Sequence, residues 1–300
     1  MKNKVKRHSH WNVEGRMRNS RSLAGNIFLI LFLLIMGFLF FFPVIFMVTK
    51  ALKPMNEMYV FPPRLLVKNP TLDNFKDLFN ILANTTVPFL RYLFNSIVIV
   101  VLGSVGHIAI ASMAAYALAK FKFPGSKFLS RLVVYSLMFN ATVTTVPNFI
   151  TISRLGLIDT LGAIIFPTFA STLGLYLMQN FMEQGPDSLI EAARIDGAGD
   201  LRIHWKLVMP IIKPAWITAF ILIFQGLWVN SGASFIYRED LKNVSYLISQ
   251  LSSGSVTGMG VARAGVFSAA SVLMFIVPVV VFLFMQTNVI STMATSGMKD

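Results

Sequence analysis

The sequence predicts an all-α, polytopic membrane protein with six transmembrane helices and both termini in the cytoplasm. Three observations lead to this fold class. Hydrophobic residues make up 55% of the chain and charged residues only 13%, whereas soluble domains carry about 25% charged residues. Several windows contain no charged residue and are long enough for the ~20 apolar residues that a bilayer helix needs. Lysines and arginines are concentrated between alternate windows.

Six charge-free windows define the predicted spans. The first follows Arg21 and the last follows Arg263. The spans are placed near residues 26–48, 93–118, 131–151, 161–182, 212–230 and 265–288. A further charge-free window, 243–262, is rich in serine and glycine and is predicted to be an external loop with room for one short helix. Residues 23–300 therefore form a single transmembrane domain, and residues 1–22 form a basic cytoplasmic tail.

The distribution of positive charge sets the predicted orientation. Sixteen of the 26 lysines and arginines fall in the tail, in the loops after the second and fourth spans, and at the C-terminus. Cytoplasmic loops carry such an excess, so both termini are predicted to be cytoplasmic. The net charge of +13 is explained in the same way. Nucleic acid is not expected as a partner, because no basic and aromatic module lies outside the apolar windows.

The loop between the fourth and fifth spans, residues 183–211, is the most informative part of the sequence. Asp187 or Ser188 is predicted to cap a short helix, and Glu191 stands at capping-box spacing from Ser188. Gly197 should end that helix in a tight turn. The pattern predicts a small helix that is held rigidly to the membrane helices and is open to close approach by another protein.

The order Glu-Ala-Ala, Asp-Gly-Ala and a later proline in this loop resembles the EAA loop of binding-protein-dependent ABC importer permeases. In that family the loop forms the coupling helix, which sits in a cleft of the ATPase subunit. The resemblance implies an ATPase-docking role for Glu191, Ala192, Ala193, Asp196, Gly197, Ala198 and Gly199. It implies a supporting role in the connecting segment for Leu201, Trp205 and Pro210.

The resemblance covers most of residues 23–300. The six-span plan, the stretch AYALAKFKFPG after the second span and the ending SGMKD are similar to the carbohydrate-uptake branch of the family, in particular to oligosaccharide permeases. The family implies the type I ABC importer permease fold. It also implies a place in the cytoplasmic membrane of a bacterium or an archaeon.

The same resemblance implies the partners. They are a second, homologous permease subunit, two ATPase subunits, an extracellular solute-binding protein and an oligosaccharide substrate, within the lipid bilayer. A heterodimer of permeases is the usual arrangement of the branch, and a homodimer stays open. ATP and magnesium would be bound by the ATPase subunits, so no cofactor is expected here. In agreement, the sequence contains no GxxxxGK[ST] phosphate-binding loop.

Enzymatic and metal chemistry are not expected. The chain has no cysteine and four dispersed histidines, so no metal site is predicted. His107 lies in the second span beside Gly103 and Gly106, where a helix–helix hydrogen bond is the favoured role. The acidic residues cluster only in the loop that resembles the docking element, so an integral membrane enzyme is disfavoured.

Uncharged polar residues within the spans are candidates for the translocation path, because amides, hydroxyls and an aromatic plate suit the hydroxyl groups of a sugar. Each of them could instead bond to a neighbouring helix. The candidates are Asn140, Thr144, Asn148, Gln225, Trp228 and Asn230. The alternative function is an ATP-independent secondary carrier or channel for a small polar solute. The lack of charged residues within the spans and of an inverted repeat counts against it.

Overall fold

The computed structural model of the protein describes residues 23–62, 64–83, 87–139, 141–252 and 264–296. Within these ranges all regular secondary structure is helical. The α-helices are α1 (Leu23–Leu52), α2 (Met55–Met58), α3 (Asp73–Ala83), α4 (Phe89–Lys120), α5 (Ser126–Ser136), α6 (Ala141–Arg154), α7 (Gly162–Phe169), α8 (Thr172–Gln184), α9 (Asp187–Ile195), α10 (Asp200–Ile203), α11 (Met209–Ile211), α12 (Lys213–Val229), α13 (Val244–Ser252) and α14 (Ala264–Ser296). A π-helical turn, His204–Val208, lies between α10 and α11, and a 3₁₀ turn, Glu239–Leu241, precedes α13.

In the described part of the chain, four helical segments are long and apolar enough to cross a membrane. They are Gly25–Leu52, Phe89–Lys120, Gly162–Gln184 (α7 with α8) and Ala264–Gln286. A fifth arises if Asp200–Ile211 and Lys213–Val229, which meet at 82°, count as one broken span. These segments overlap five of the predicted spans. The number that cross the bilayer and the side on which each terminus lies stay predictions.

The structure corrects the helix predicted over 131–151, which is not one continuous element. α5 begins before that window and ends at Ser136, and α6 follows as a separate helix. The Ser136 hydroxyl shares its one proton between the carbonyls of Leu132 and Val133, at 2.8 and 2.9 Å from Oγ. The next three amides each bond back to the third preceding carbonyl. Such bonds compete with regular helix bonding, and the tightened turn ends α5. A window defined by missing charges could not reveal this break.

The chain divides into two compact units, Met1–Phe46 and Met47–Asp300. In the first unit, α1 exposes apolar side chains all round; Phe28 and Phe40 are 71% and 80% exposed. The rings of Phe38, Phe42 and Phe46 follow one another at four-residue intervals, with centroids 6.4 and 6.5 Å apart. A helix that is apolar on every side suits hydrocarbon surroundings.

The second unit is organised around α4, along which three apolar clusters follow one another. Tyr92 belongs to a cluster with α3, α13 and α14. Ile99 belongs to a cluster with α7 and α12, and Ala115 to one with α8, α9 and α12. Each of these three side chains is at most 1% exposed. Because packed interiors transmit displacement rather than absorb it, a movement at one end of α4 acts on most of the unit.

His107, in the middle of α4, shows how closely α4 and α8 approach. Its side chain is fully buried, and Nδ1 lies 3.0 Å from the carbonyl oxygen of Thr168. Nε2 lies against Gly174, where an added Cβ would collide with it. Small residues permit such approaches between membrane helices. The helix–helix hydrogen bond expected for His107 is confirmed, and its acceptor is a backbone carbonyl near the C-terminal end of α7.

The chain between α12 and α14 folds back onto the first turns of α4. We call its described part, residues 230–252, the cap segment. Asn95 Nδ2 donates to two carbonyls of the segment, both at 2.9 Å, and the Tyr92 hydroxyl donates to Glu239 at 2.7 Å. The Asp159 carboxylate accepts hydrogen bonds from two backbone N–H groups of the cap segment, at 2.6 and 3.0 Å. The cap segment contains α13, the short helix for which the window 243–262 had room; residues 253–263 lie outside the described residues.

Candidate functional site

The loop after α8 folds into α9. This helix begins at Asp187, directly after Pro186, whose fixed φ of −67° suits the start of a helix. The predicted side-chain cap is wrong, because Pro186 occupies the N-cap position and no side chain caps the helix. The Asp187 carboxylate instead accepts a hydrogen bond from Lys120 Nζ at 2.6 Å. An acidic residue in the first turn still complements the helix dipole.

α9 ends in a Schellman turn at Gly197. The amide of Gly197 donates to the carbonyl of Arg194, and the amide of Ala198 donates to that of Ala193, both at 3.0 Å; this is the bonding pattern of the turn. Gly197 has a φ of +79°, which a residue with a side chain adopts only under strain. Gly199 has a φ of −70°, so the reversal depends on the first glycine alone.

The predicted docking residues point in two directions. Ala193 and Ala198 pack against the apolar cluster that contains Ile190, the one buried residue of α9. The remaining five are exposed, namely Glu191, Ala192, Asp196, Gly197 and Gly199. Residues 187–201 therefore form a projecting element, here called the knob, with an inner apolar face and an outer face that carries carboxylates and small residues.

Two apolar side chains on the knob are exposed as well. Ile195 is 86% exposed and Leu201 is 65% exposed. Ile195 was not among the predicted docking residues, and Leu201, for which the resemblance implied a supporting role in the connecting segment, lies exposed on the knob. Ile195 follows the buried Ile190 by five residues, which places it about 140° further around the helix; this spacing could have identified it. Exposed apolar groups beside carboxylates are typical of protein interaction surfaces.

α10, the π-helical turn and α11 connect the knob to α12. The inward side chains are Ile203, Val208 and Ile212, each at most 5% exposed. The predicted support residues are exposed instead, namely Leu201, Trp205 and Pro210. Trp205 lies edge-on against His204, with ring centroids 4.9 Å apart. A π-helical turn changes the number of residues per turn and so shifts the register of the amphipathic run, which the sequence pattern alone does not show.

Hydrogen bonds stiffen this connection. His204 Nε2 lies 3.2 Å from Ser112 Oγ on α4. Trp216 Nε1, on α12, donates to the carbonyl of Met209 at 3.1 Å, across the 82° bend. These bonds therefore tie the connecting segment to α4 and to α12.

The charges of the knob are of two kinds. Asp187 pairs with Lys120, and this hydrogen bond lowers the pKa of Asp187 below its ordinary value. Arg194 pairs with Asp200 at 3.0 Å. Among the described residues, Glu191 has neither a hydrogen-bond nor an ion-pair partner. Its carboxylate is therefore available to a basic group of another protein.

The predicted path residues lie on α6, on α12 and just beyond α12. Asn140 lies outside the described residues. On α6, Thr144 is exposed and Asn148 is half-buried, and on α12 Gln225 is exposed. An exposed amide at membrane depth is costly against lipid. Gln225 is therefore better placed toward a water-filled path or a neighbouring subunit than toward hydrocarbon.

Trp228 is packed in the interior, whereas Asn230 is exposed and bonds to the turn that follows it. Trp228 is 7% exposed, its Nε1 donates to the carbonyl of Met274 at 2.9 Å, and its ring stacks on Phe224. Asn230 Oδ1 accepts a hydrogen bond from the amide of Gly232 at 2.9 Å. An indole that is covered on its face and bonded at its nitrogen offers no free plate to a sugar in this conformation.

Comparisons with known proteins agree with the geometry. Residues 66–294 match the family described as "Binding-protein-dependent transport system inner membrane component". The chain is 32% identical over 281 residues to the sn-glycerol-3-phosphate transport system permease protein UgpE of Yersinia enterocolitica, covering 90% of this chain and 95% of UgpE. It is 31% identical over 192 residues to Protein LplC of Bacillus subtilis, covering 64% of this chain and 61% of LplC.

Two solved structures share the fold. One is a bacterial ABC transporter involved in the import of the acidic polysaccharide alginate, with a TM-score of 0.73 at 23% identity, over 89% of this chain and 98% of that chain. The other is the alginate ABC transporter in complex with alginate pentasaccharide-bound periplasmic protein, with a TM-score of 0.57 at 16% identity, over 87% and 92%. The predicted all-α fold of an importer permease is confirmed.

Proposed function

The chain belongs to the family of binding-protein-dependent transport system inner membrane components, and we propose that it is the permease subunit of an ATP-driven importer for a carbohydrate, in particular an oligosaccharide. Membership of that family makes it a membrane-embedded transport component and not an enzyme. The observation that carries the proposal is the knob at residues 187–201, which is exposed on its outer face and held stiffly on its inner face.

The knob has the features that docking onto an ATPase subunit requires. Its outer face combines the carboxylates of Glu191 and Asp196 with the apolar side chain of Ile195, which suits a cleft with an apolar floor and a basic rim. Ala192 is small and exposed, so the partner can approach the helix backbone. The bonded connection through α10 and α11 would then pass movement of the ATPase to α12 and α4.

The proposed substrate class is supported by the relatives and by the polar groups of the spans. UgpE is named for glycerol-3-phosphate transport and the structural neighbour for import of the acidic polysaccharide alginate; both substrates carry hydroxyl groups as well as negative charge. Thr144, Asn148 and Gln225 are uncharged hydrogen-bonding residues on α6 and α12. Neutral amides and hydroxyls can bind sugar hydroxyls without placing charge in the membrane.

The remaining parts of the proposal concern assembly. We place the chain in the cytoplasmic membrane of a bacterium or an archaeon, with both termini and the knob inside. It would pair with a second, homologous permease, two ATPase subunits that bind ATP and magnesium, and an extracellular solute-binding protein. The basic tail, residues 1–22, would act as a topology anchor on the cytoplasmic side.

Affinity purification from detergent-solubilised native membranes, followed by mass spectrometry, tests this assembly. We expect stoichiometric recovery of an ATPase subunit and a second permease, and ATP-dependent uptake of oligosaccharide, rather than of glycerol-3-phosphate, by the reconstituted complex. Recovery of the chain alone, together with uptake that needs no ATP, would contradict the proposal and favour a secondary carrier or channel.

Glu191→Lys tests the docking surface. The reversed charge should repel the basic rim of the ATPase cleft, so the purified permease should lose its ATPase subunit while its melting temperature stays unchanged. Asp77→Lys is the matched control, because Asp77 is equally exposed but lies on α3, far along the chain from the knob. Equal retention of the ATPase subunit by both variants would rule out docking through Glu191.

A further inference from the structure

The C-terminal end of α4 holds α9 at its first turn. Lys120, the last residue of α4, donates from Nζ to Asp187 Oδ1 at 2.6 Å and to the carbonyl of Gly185 at 3.1 Å. The Lys120 side chain is only 8% exposed, whereas that of Asp187 is 74% exposed. A buried ammonium group is stable only when acceptors surround it. Lys120 therefore needs both acceptors to keep its charged side chain in this buried position.

The neighbouring residue holds the other end of the same helix. The guanidinium carbon of Arg194 lies 5.5 Å from the centroid of the Phe121 ring, within the range of a cation–π contact. Asp187 and Arg194 stand at opposite ends of α9. Because residues 120 and 121 contact both ends, and Ile190 between them is buried, α9 can neither slide nor rotate without moving the end of α4.

This attachment is separate from the two covalent routes out of the knob. The chain joins α9 to α8 through Gly185 and Pro186, and to α12 through α10 and α11. Neither covalent route runs through α4, the helix that carries the three apolar clusters of the unit, although the second route contacts α4 at one point, where His204 lies 3.2 Å from Ser112. The contacts of Lys120 and Phe121 connect the knob directly to that central helix.

We propose that Lys120 is a positioning residue for energy coupling, whose charge makes the ATPase-docking helix α9 and the central helix α4 move as one body. The inference rests on the proposed docking role of the knob. Lys120 does not touch the ATPase; it acts through Asp187 and Gly185. Without its charge the ATPase would still bind, but less of its movement would reach α4, because only the connection through α10 and α11 would then transmit it.

The sequence offers a matched control two residues away. Lys122 carries the same charge but is exposed and forms no ion pair with any described residue. Lys120→Gln and Lys122→Gln therefore change the net charge equally, but only Lys120→Gln removes hydrogen bonds to Asp187 and Gly185, whereas Lys122 acts on Asp187 through its charge alone. Asp187→Asn removes the same ion pair from its exposed side, while the amide oxygen of the new side chain can still accept a hydrogen bond from Lys120 Nζ.

The test measures substrate molecules transported per ATP hydrolysed by the complete complex in proteoliposomes. Lys120→Gln and Asp187→Asn should keep the ATPase subunit bound and hydrolysing, while the transport ratio falls roughly tenfold, the effect of losing a charged hydrogen bond. Lys122→Gln should keep the wild-type ratio. The exchange Lys120→Asp with Asp187→Lys should recover part of the ratio, because it restores the ion pair with its charges exchanged. A lower ratio while the ATPase subunit stays bound and hydrolysing is the result that a purely structural role would not predict.

The outcomes separate this inference from the docking proposal. A wild-type transport ratio in Lys120→Gln and Asp187→Asn would overturn the coupling role, as would an equal loss in Lys122→Gln. Loss of the ATPase subunit from Lys120→Gln would also overturn it, because the residue would then act in docking. If Glu191→Lys, measured in the same series, keeps its ATPase subunit, docking through the knob fails whatever Lys120 does.

Discussion

The two ends of α4 carry two polar segments of opposite design. At the N-terminal end, the cap segment turns its polar groups inward: Asn95 and Tyr92 on α4 bond to its carbonyls and to Glu239. At the C-terminal end, the knob turns its polar groups outward, and Glu191 has no partner among the described residues. The knob is joined to α4 by only a few contacts, of which the strongest is made by Lys120.

This difference indicates a division of labour. A segment whose hydrogen bonds are satisfied internally stabilises the fold and has little left to offer a partner. A segment that exposes charged and apolar side chains, and is held to its neighbouring helices by hydrogen bonds and packing, is suited to binding a partner and to transmitting its movement. Changes in the cap segment should therefore alter thermal stability, and changes in the knob should alter transport per ATP. The following variants test that contrast.

Gly197→Val should have the largest effect. A β-branched residue at a φ of +79° is strained by about 1–3 kcal/mol, so the Schellman turn should open and the knob should lose its shape. Uptake should fall roughly tenfold or more, while the melting temperature of the membrane core changes little. Radiolabelled uptake and a fluorescence melting curve measure the two quantities.

Gly199→Ala is the control for that variant. Gly199 has an ordinary φ and open space around its Cα, so the turn should keep its shape and any loss of uptake through the docking face should be much smaller than in Gly197→Val. If Gly199→Ala and Gly197→Val are equally impaired, the account of the turn is wrong.

Asn95→Leu should be the most damaging change beneath the cap segment. It removes the Nδ2 group that donates to the carbonyls of Asp240 and Lys242. The Asp240 carbonyl keeps its hydrogen bond from Arg91, whereas the buried Lys242 carbonyl loses this donor, at a cost of about 1–3 kcal/mol. The melting temperature should drop, yet the surviving protein should transport as many molecules per ATP as the wild type. A normal melting temperature with a reduced transport ratio would reverse the roles assigned to the two segments.

Tyr92→Phe should have a smaller effect of the same kind. It removes one hydrogen bond to Glu239, worth about 1 kcal/mol, and leaves the 2.6 Å bond from Lys242 to that carboxylate in place. The melting temperature should fall less than in Asn95→Leu. A larger fall in Tyr92→Phe would show that the tyrosine hydroxyl, and not the asparagine, anchors the cap segment.

Asp159→Asn should have the smallest effect, and one that depends on pH. The amides of Tyr237 and Arg238 donate to Asp159 and lower its pKa. A carboxyl group with a lowered pKa stabilises the fold at any pH above its ordinary pKa of about 3.9. That contribution is lost as the pH falls through the lowered pKa. The melting temperatures of wild type and variant should therefore differ by a few degrees at most at neutral pH and converge below about pH 4. A difference in melting temperature that grows as the pH falls would contradict the predicted direction.

Much of the helical plan could be predicted from the sequence, because missing charge and high apolarity mark the long helices directly. The single helix predicted over 131–151 was wrong, because the break after Ser136 depends on side-chain hydrogen bonding to the carbonyls of Leu132 and Val133. In the connecting segment, the sequence did not show which side chains face inward, for a related reason. The π-helical turn at His204–Val208 rotates the following side chains by less than a turn, and hydropathy does not show such a rotation.

At the candidate site, the sequence identified the segment but not its orientation. The motif located Glu191 and Gly197, and the structure places both as exposed parts of the knob. The attachment through Lys120 could not be seen, because it joins residues 67 positions apart in the chain. Residue type alone made Trp228 a candidate for stacking on a sugar, and only its packing on Phe224 in the structure shows that the ring is covered.

Site-directed labelling tests the central claim most directly, because the natural chain has no cysteine and any introduced thiol is unique. Ala192→Cys lies on the outer face of the knob and Ser249→Cys on the cap segment, both at exposed positions. In inside-out vesicles stripped of peripheral proteins, a membrane-impermeant maleimide should label Ala192→Cys, and re-added ATPase subunit should protect it. Ser249→Cys should be labelled only from the outside of intact cells, with or without the ATPase. Unchanged labelling of Ala192→Cys in the presence of a bound ATPase would contradict docking through the knob and with it the division of labour between the two ends of α4.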